Sequence, residues 1–148
     1  MKKVALFAIV LALAVAGLTF AQAKPDFSGT WAPKVDANAA PPAGGGGRGG
    51  GMGPMTIKQT AAEMTITRGQ NNLTYKLDGT ESVNQGRGGE MKSTAKFDGA
   101  KLVIKTSMES PNGAMETTAT YSLSADGKEL TVVTASARGE RTAVYTKQ

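Results

Sequence analysis

The sequence MKSTAKFDGAKLVIKTS, residues 91–107, decides the fold. Apolar residues alternate with polar residues up to Asp98-Gly99, and Leu102 and Ile104 continue the same spacing after it. Alternation with a period of two places the apolar side chains on one face of a β-strand. Asp-Gly between two such runs favours a tight turn, because these residues tolerate the positive φ that the turn requires. The stretch therefore predicts a β-hairpin with one buried face.

The same alternation continues over most of the chain from residue 55 onward. Asp-Gly turns recur at Asp78-Gly79 and Asp126-Gly127, and no segment after residue 23 shows a helical period. We expect an all-β fold, an antiparallel up-and-down meander of about eight to ten strands closed into a barrel, because closure removes exposed sheet edges. The side chains predicted to face inward are Ile57, Met64, Ile66, Leu73, Tyr75, Leu77, Met91, Ala95, Phe97, Leu102, Ile104, Ala119, Tyr121, Leu123, Leu130 and Val132.

Residues 1–23 have the features of a signal peptide. Two lysines precede an unbroken apolar run, and Ala21-Gln22-Ala23 matches the small-x-small pattern of a cleavage site. The alternative is a transmembrane anchor, which the cleavage pattern and the absence of a charged stop disfavour. We therefore expect cleavage after Ala23, a single domain over 24–148 with no stable membrane insertion, and a bacterial periplasmic or secreted location.

Two glycine-rich stretches interrupt the alternating pattern. Residues 37–54, ANAAPPAGGGGRGGGMGP, combine glycine with two prolines and predict a long flexible loop. Residues 86–91, GRGGEM, predict a second loop of the same kind. The first stretch contains a single arginine, and the net charge of +5, which falls to +3 without Lys2 and Lys3, is mild and scattered. We expect no nucleic-acid partner on these grounds.

The composition excludes several chemistries. The chain has no Cys and no His, which removes disulfides, thiolate and Ser-His catalysis, and most zinc or iron sites. The acidic residues show no paired-carboxylate spacing, and Ser28 and Lys34 have no visible activating partner. Met52 and Met55 are spaced as Met-x-x-Met, a pattern that soft Cu(I) accepts, but core filling is the preferred interpretation of the methionines. We predict no enzyme activity, no cofactor and no metal site.

The segment DFSGTW, residues 26–31, resembles the Gly-x-Trp motif that opens lipocalins, fatty-acid-binding proteins and avidins. It also resembles the start of a group of exported bacterial lipocalin-like proteins of the calycin type, which continue as strand-turn-strand repeats with Asp-Gly turns. The resemblance implies that Trp31 closes one end of a barrel and packs against an arginine from the last strand. Arg141 or Arg138 can fill that role, and we predict Arg141, since a guanidinium over an indole face is favourable.

The resemblance leaves the function open between two classes. The first is a binding protein that holds a small apolar or amphipathic molecule in its barrel, since a barrel of about eight strands is just wide enough for one small ligand. The alternative is a non-catalytic envelope or secreted interaction module whose barrel is filled by its own side chains. For the first class the predicted ligand-binding residues are Ile66, Tyr75, Phe97, Ile104 and Tyr121, with the two tyrosines offering polar groups.

Overall fold

The computed structural model describes residues 24–34, 53–86, 88–110 and 113–148. The predicted signal peptide, 1–23, and most of the predicted loop 37–54 lie outside these residues. The described chain forms ten β-strands: β1 Gly29–Pro33, β2 Met55–Gln59, β3 Glu63–Arg68, β4 Asn71–Lys76, β5 Asp78–Gly86, β6 Gly89–Asp98, β7 Lys101–Ser110, β8 Gly113–Leu123, β9 Glu129–Ser136 and β10 Gly139–Lys147.

All ten strands belong to one antiparallel sheet. Their order is β4-β3-β2-β1-β10-β9-β8-β7-β6-β5, so all consecutive strands except β4 and β5 are neighbours, and β1 also pairs with β10. The pairing of β1 with β10 sets Trp31 opposite Lys147. The sheet curls until its two outermost strands, β4 and β5, face each other, which makes a nearly closed barrel. The predicted antiparallel barrel is confirmed.

The core lies inside this barrel, on the face that the alternating pattern predicted. Of the predicted inward side chains, Leu73, Phe97, Ala119 and Leu123 are partly buried and pack against the core, and Met91 is half-buried. The buried residues of the hydrophobic core are Phe27, Trp31, Met55, Ile57, Met64, Ile66, Tyr75, Leu77, Ala95, Leu102, Ile104, Tyr121, Leu130, Val132 and Tyr145. Burial of this apolar surface is the main favourable term in forming the barrel.

Side chains, not a backbone ladder, join the two outermost strands. The amide of Asn84 on β5 accepts a hydrogen bond from the Thr74 N–H at 2.8 Å and donates one to the Thr74 carbonyl at 2.9 Å. Two residues along each strand, the Ser82 hydroxyl accepts from the Lys76 N–H at 2.8 Å. Both side chains are buried. They supply the partners that the β4 backbone lacks at an unpaired edge.

The turns differ from the prediction in two places. Asp98-Gly99 does end a hairpin, with Gly99 at φ +58° as the first loop residue. Asp78-Gly79 is not a hairpin turn, because both residues lie within β5 at a shift of register with β6, and the chain turns at Leu77. Gly79, at φ +85°, takes the positive φ that a bulge allows. The prediction of a loop over 86–91 is also wrong in extent, since β6 begins at Gly89.

Candidate functional site

The two ends of the barrel differ in how they are covered. At the end where β1 begins, here called the Trp31 end, the segment 24–28 lies across the opening and buries Phe27 completely. The Phe27 ring packs edge-on against Tyr121 with centroids 6.3 Å apart, and the Gln59 side chain accepts a hydrogen bond from the Phe27 N–H. At the opposite end, here called the Met115 end, the side chain of Met115 is 42% exposed.

Trp31 lies fully buried beneath the segment 24–28. Its indole Nε1 donates a hydrogen bond to the Phe27 carbonyl at 2.9 Å, and the Lys147 Nζ lies 5.6 Å from the ring centroid. Gly29, two residues earlier on the same face, has φ +144°, and a Cβ there would lie 2.7 Å from the Lys147 Cε. The Gly-Thr-Trp triplet thus buries the indole and leaves room for a lysine to cross over it.

The cation over the indole is Lys147, and the prediction of Arg141 is wrong. Lys147 lies directly opposite Trp31 in the β1–β10 ladder, whereas Arg141 pairs with Thr134 of β9. Six residues of strand separate the two positions on β10, roughly 20 Å at about 3.3 Å per residue. Arg141 is exposed. The predicted element was right, because the cation does come from the last strand.

The residues predicted to bind a ligand lie in or beside the core. Ile66, Tyr75, Ile104 and Tyr121 are buried inside the barrel. Phe97 is half-buried near the Trp31 end, where the Lys24 Nζ lies 5.3 Å from its ring centroid. These positions match the predicted inward face, and their role toward a ligand stays a prediction.

Burial raises the pKa of both interior phenols. Removal from water is the main cause for Tyr75 and for Tyr121, and the positive charge of Arg68 opposes the rise at each. Neither hydroxyl makes a hydrogen bond to any other residue within the described ranges. Both groups therefore remain neutral donors at physiological pH.

Arg68, which the sequence analysis did not select, projects into this interior. It follows Met64 and Ile66 at the same spacing of two, so it lies on the buried face of β3. Its Nη2 donates to the Met55 sulfur at 3.2 Å, a weak acceptor. Its Nε is buried and, among the described residues, has no hydrogen-bond partner. The sequence signal for Arg68 was its position in EMTITR: it lies two residues after Ile66 and four after Met64, on the face of the strand that carries the apolar side chains.

No carboxylate of the described chain neutralises Arg68. Every Asp and Glu in these ranges is exposed except Glu129, which is half-exposed and forms an ion pair with Lys34 at 2.6 Å on the surface. Arg68 is half-buried, and its buried Nε lacks the hydrogen bond that would offset its removal from water. Its positive charge acts on both interior phenols. A partly buried cation near two phenol donors is an arrangement that suits an anion.

Two concave regions border the barrel. One, of about 430 Å³, lies at the Trp31 end and is lined by Lys24, Asp26, Gln59, Thr60, Ala61, Leu77 and Phe97. The other, of about 480 Å³, lies over β5 to β8 and is lined mainly by the outward side chains of those strands, among them Lys92, Lys105 and Glu116. Neither is lined by Arg68, Tyr75 or Tyr121.

Within the described part of the chain, no group of three or more Asp, Glu, His or Cys side chains is placed to hold a metal ion. In the same residues, no helix is long and apolar enough to cross a bilayer.

Comparison with known proteins gives structural similarity without sequence similarity. No protein family matches the chain, and no curated protein sequence does. Secretory abundant heat soluble protein 4 from Ramazzottius varieornatus is similar in structure, with a TM-score of 0.55 and 18% identity over 82% of this chain and 94% of that one. A second such protein from the same organism gives 0.52 and 19% over 64% and 70%. A mutant of the fluorescent protein UnaG gives 0.49 and 20% over 64% and 70%.

At these identities the two likenesses to the heat-soluble proteins show the fold alone. Together with the ten-stranded meander, they show a lipocalin-like β-barrel fold. A fold alone does not assign a function, so the function is argued from the interior itself.

Proposed function

We propose that this protein binds a small amphipathic molecule whose apolar part lies among the barrel side chains and whose anionic group meets Arg68. The observation that carries the proposal is the Arg68 Nε, buried without a partner in an interior that holds no carboxylate of the described chain. A bound carboxylate would accept hydrogen bonds from the guanidinium and from the phenols of Tyr75 and Tyr121. The role is binding and not catalysis.

The features of residues 1–23 support an exported protein. The leader pattern and the absence of Cys suit a bacterial periplasmic or secreted protein that is stabilised by sheet pairing and core packing. In that setting a barrel that shields an amphipathic molecule from water carries it between surfaces or stores it. The ligand class follows from the interior and not from the location.

The test is a comparison of long-chain alkyl carboxylates with their methyl esters, on protein stripped of bound molecules. A charge-assisted hydrogen bond contributes about 1.5–3 kcal/mol, so the carboxylate should bind roughly ten- to a hundredfold more tightly than its ester. Arg68→Met should remove that preference. Arg141→Met is the matched control, because Arg141 is an exposed arginine on β10, and it should bind like the unaltered protein. Equal affinity for acid and ester would contradict the proposal.

Stability provides a second readout. Without ligand, Arg68→Met should leave the free energy of unfolding unchanged or raise it, because the substitution removes a half-buried guanidinium whose Nε has no partner among the described residues and keeps an apolar chain. A loss of several kcal/mol would instead mean that Arg68 is structural and not a ligand-binding group. Urea denaturation at neutral pH measures the difference.

The second candidate is an interaction module with a filled barrel. It is favoured by the near-complete burial of the core side chains and by the position of both concave regions at the end or on the outer surface. Native mass spectrometry of the protein purified from its own host separates the two candidates. A retained small anionic molecule supports binding, and a bare chain that also fails to bind the carboxylate panel supports the module.

A further inference from the structure

Three methionines lie side by side at the Met115 end of the barrel. Met91 of β6 pairs with Met108 of β7, and Met108 pairs with Met115 of β8. Residues directly opposite each other in an antiparallel sheet present their side chains on the same face, with Cβ atoms about 4.5–5.5 Å apart. We refer to Met91, Met108 and Met115 as the methionine row. Because they are far apart in the sequence, only the fold brings them together.

Core filling, the preferred interpretation from the sequence, does not account for this row. Met55 and Met64 are fully buried and belong to the core cluster. Met91 and Met108 are half-buried, and none of the three row residues packs against that cluster within the described chain. Met115 is 42% exposed. Three large apolar side chains thus gather beside the core without contributing to it.

Glycines cover two of the three sulfurs. A Cβ on Gly86 would lie 2.9 Å from the Met91 Sδ, and a Cβ on Gly88 would lie 3.2 Å from the Met108 Sδ. Both sulfurs therefore lie against the same turn between β5 and β6, at positions that carry no side chain. Bulkier residues there would displace the thioethers, so the glycines allow both sulfurs to lie close to the turn.

We propose that the methionine row binds a soft monovalent cation, Cu(I) or Ag(I), through its three thioether sulfurs. Thioethers are soft ligands that select such ions over Mg²⁺, Ca²⁺ and Zn²⁺. The chain has no Cys and no His, so methionine is the only soft side chain available to it. A thioether carries no proton to lose, and binding should therefore vary little with pH, unlike binding to thiol or imidazole ligands. The long flexible side chains allow the sulfurs to converge on one ion.

The experiment is a titration of the protein with silver nitrate in chloride-free buffer, followed by NMR of methionine methyl groups labelled with carbon-13. We expect one silver ion per chain, with the methyl signals of Met91, Met108 and Met115 moving together. The signals of Met55 and Met64 should stay in place, because both side chains are sealed in the core.

Variants assign the sulfurs. Met108→Leu removes the central ligand and should weaken silver binding by about tenfold or more. Loss of a residue that only hydrogen-bonds to a metal ligand already lowers metal affinity by about that factor. Met64→Leu is the matched control and should leave silver affinity unchanged. Leucine for methionine conserves volume, and each variant is checked for the native amide spectrum. If Met108→Leu fails to fold, Met115→Leu at the exposed position replaces it.

Several results would overturn the proposal. Unmoved methyl signals in the row would do so, and so would equal silver affinity in Met108→Leu, Met115→Leu and the unaltered protein. The site does not depend on the anion-binding interior, so Arg68→Leu, which adds no thioether, should bind silver normally. The two proposals can therefore fail separately.

Discussion

Replacing Asn84 with alanine should selectively weaken the side-chain hydrogen bonding that connects β4 and β5. The substitution removes two hydrogen bonds, at 2.8 and 2.9 Å, to the backbone of Thr74. Each such bond contributes a net of about 0.5–1.5 kcal/mol, and the backbone groups left behind in a half-buried place add a desolvation cost. We expect a loss of about 2–3 kcal/mol in the free energy of unfolding. For a domain of this size that is a fall of about 8–12 °C in melting temperature.

Two measurements check this prediction. Urea denaturation gives the loss of stability, and amide hydrogen exchange shows where it occurs. Exchange should accelerate most at Thr74, whose N–H loses its acceptor, and at Lys76, whose N–H bonds to the neighbouring Ser82.

Asn72→Ala is the matched control for the same chemical change. Asn72 lies on the same strand as Thr74, is exposed, and its side chain bonds only to the hydroxyl of Thr67 among the described residues. Its loss should stay within about 0.5 kcal/mol. The reasoning is refuted if Asn84→Ala and Asn72→Ala cost the same, or if the Thr74 amide exchanges at its original rate.

Two further predictions concern the Trp31 end and the response to acid. Gly29→Ala should cost about 1–3 kcal/mol, because φ +144° suits glycine alone and the new Cβ displaces Lys147; the fluorescence of the single tryptophan and urea midpoints measure it. Gly53→Ala, with open space around it, should change neither value. Hydrogen bonds from a neighbouring hydroxyl and a backbone N–H hold the pKa of Asp78 and of Asp126 below 3.8. Folding therefore favours their ionised forms, and the stability they add is present above that value and lost as the pH falls through the lowered pKa. Between about pH 4 and pH 2 the urea midpoint should fall, and less steeply in a variant with Asn at both positions.

The barrel could be predicted from the sequence because its core obeys a period of two. Ile66, Ile104 and Tyr121 each occupy an alternating position, and each is buried. Asp-Gly correctly predicted two hairpin turns, at Asp98-Gly99 and Asp126-Gly127, but Asp78-Gly79 forms a bulge inside a strand. The local sequence predicts that the glycine takes a positive φ. It does not predict whether that glycine lies in a turn between two paired strands or in a bulge within one strand.

The candidate site was harder to predict because it depends on register. The resemblance of DFSGTW to a barrel-opening motif implied a last-strand cation near Trp31, yet only the pairing of β1 with β10 selects Lys147 over Arg141. Arg68 was overlooked because a charged residue at a strand end usually faces water. The methionine row needs two registers at once, β6 with β7 and β7 with β8, and no local signal contains either.

The pairing of β1 with β10 has a consequence for synthesis. One edge of β1 pairs with β2, but its other edge has no partner in a growing chain until β10 has been made. Contacts between such distant segments make folding slow, since the intervening chain must lose its freedom before the contact forms.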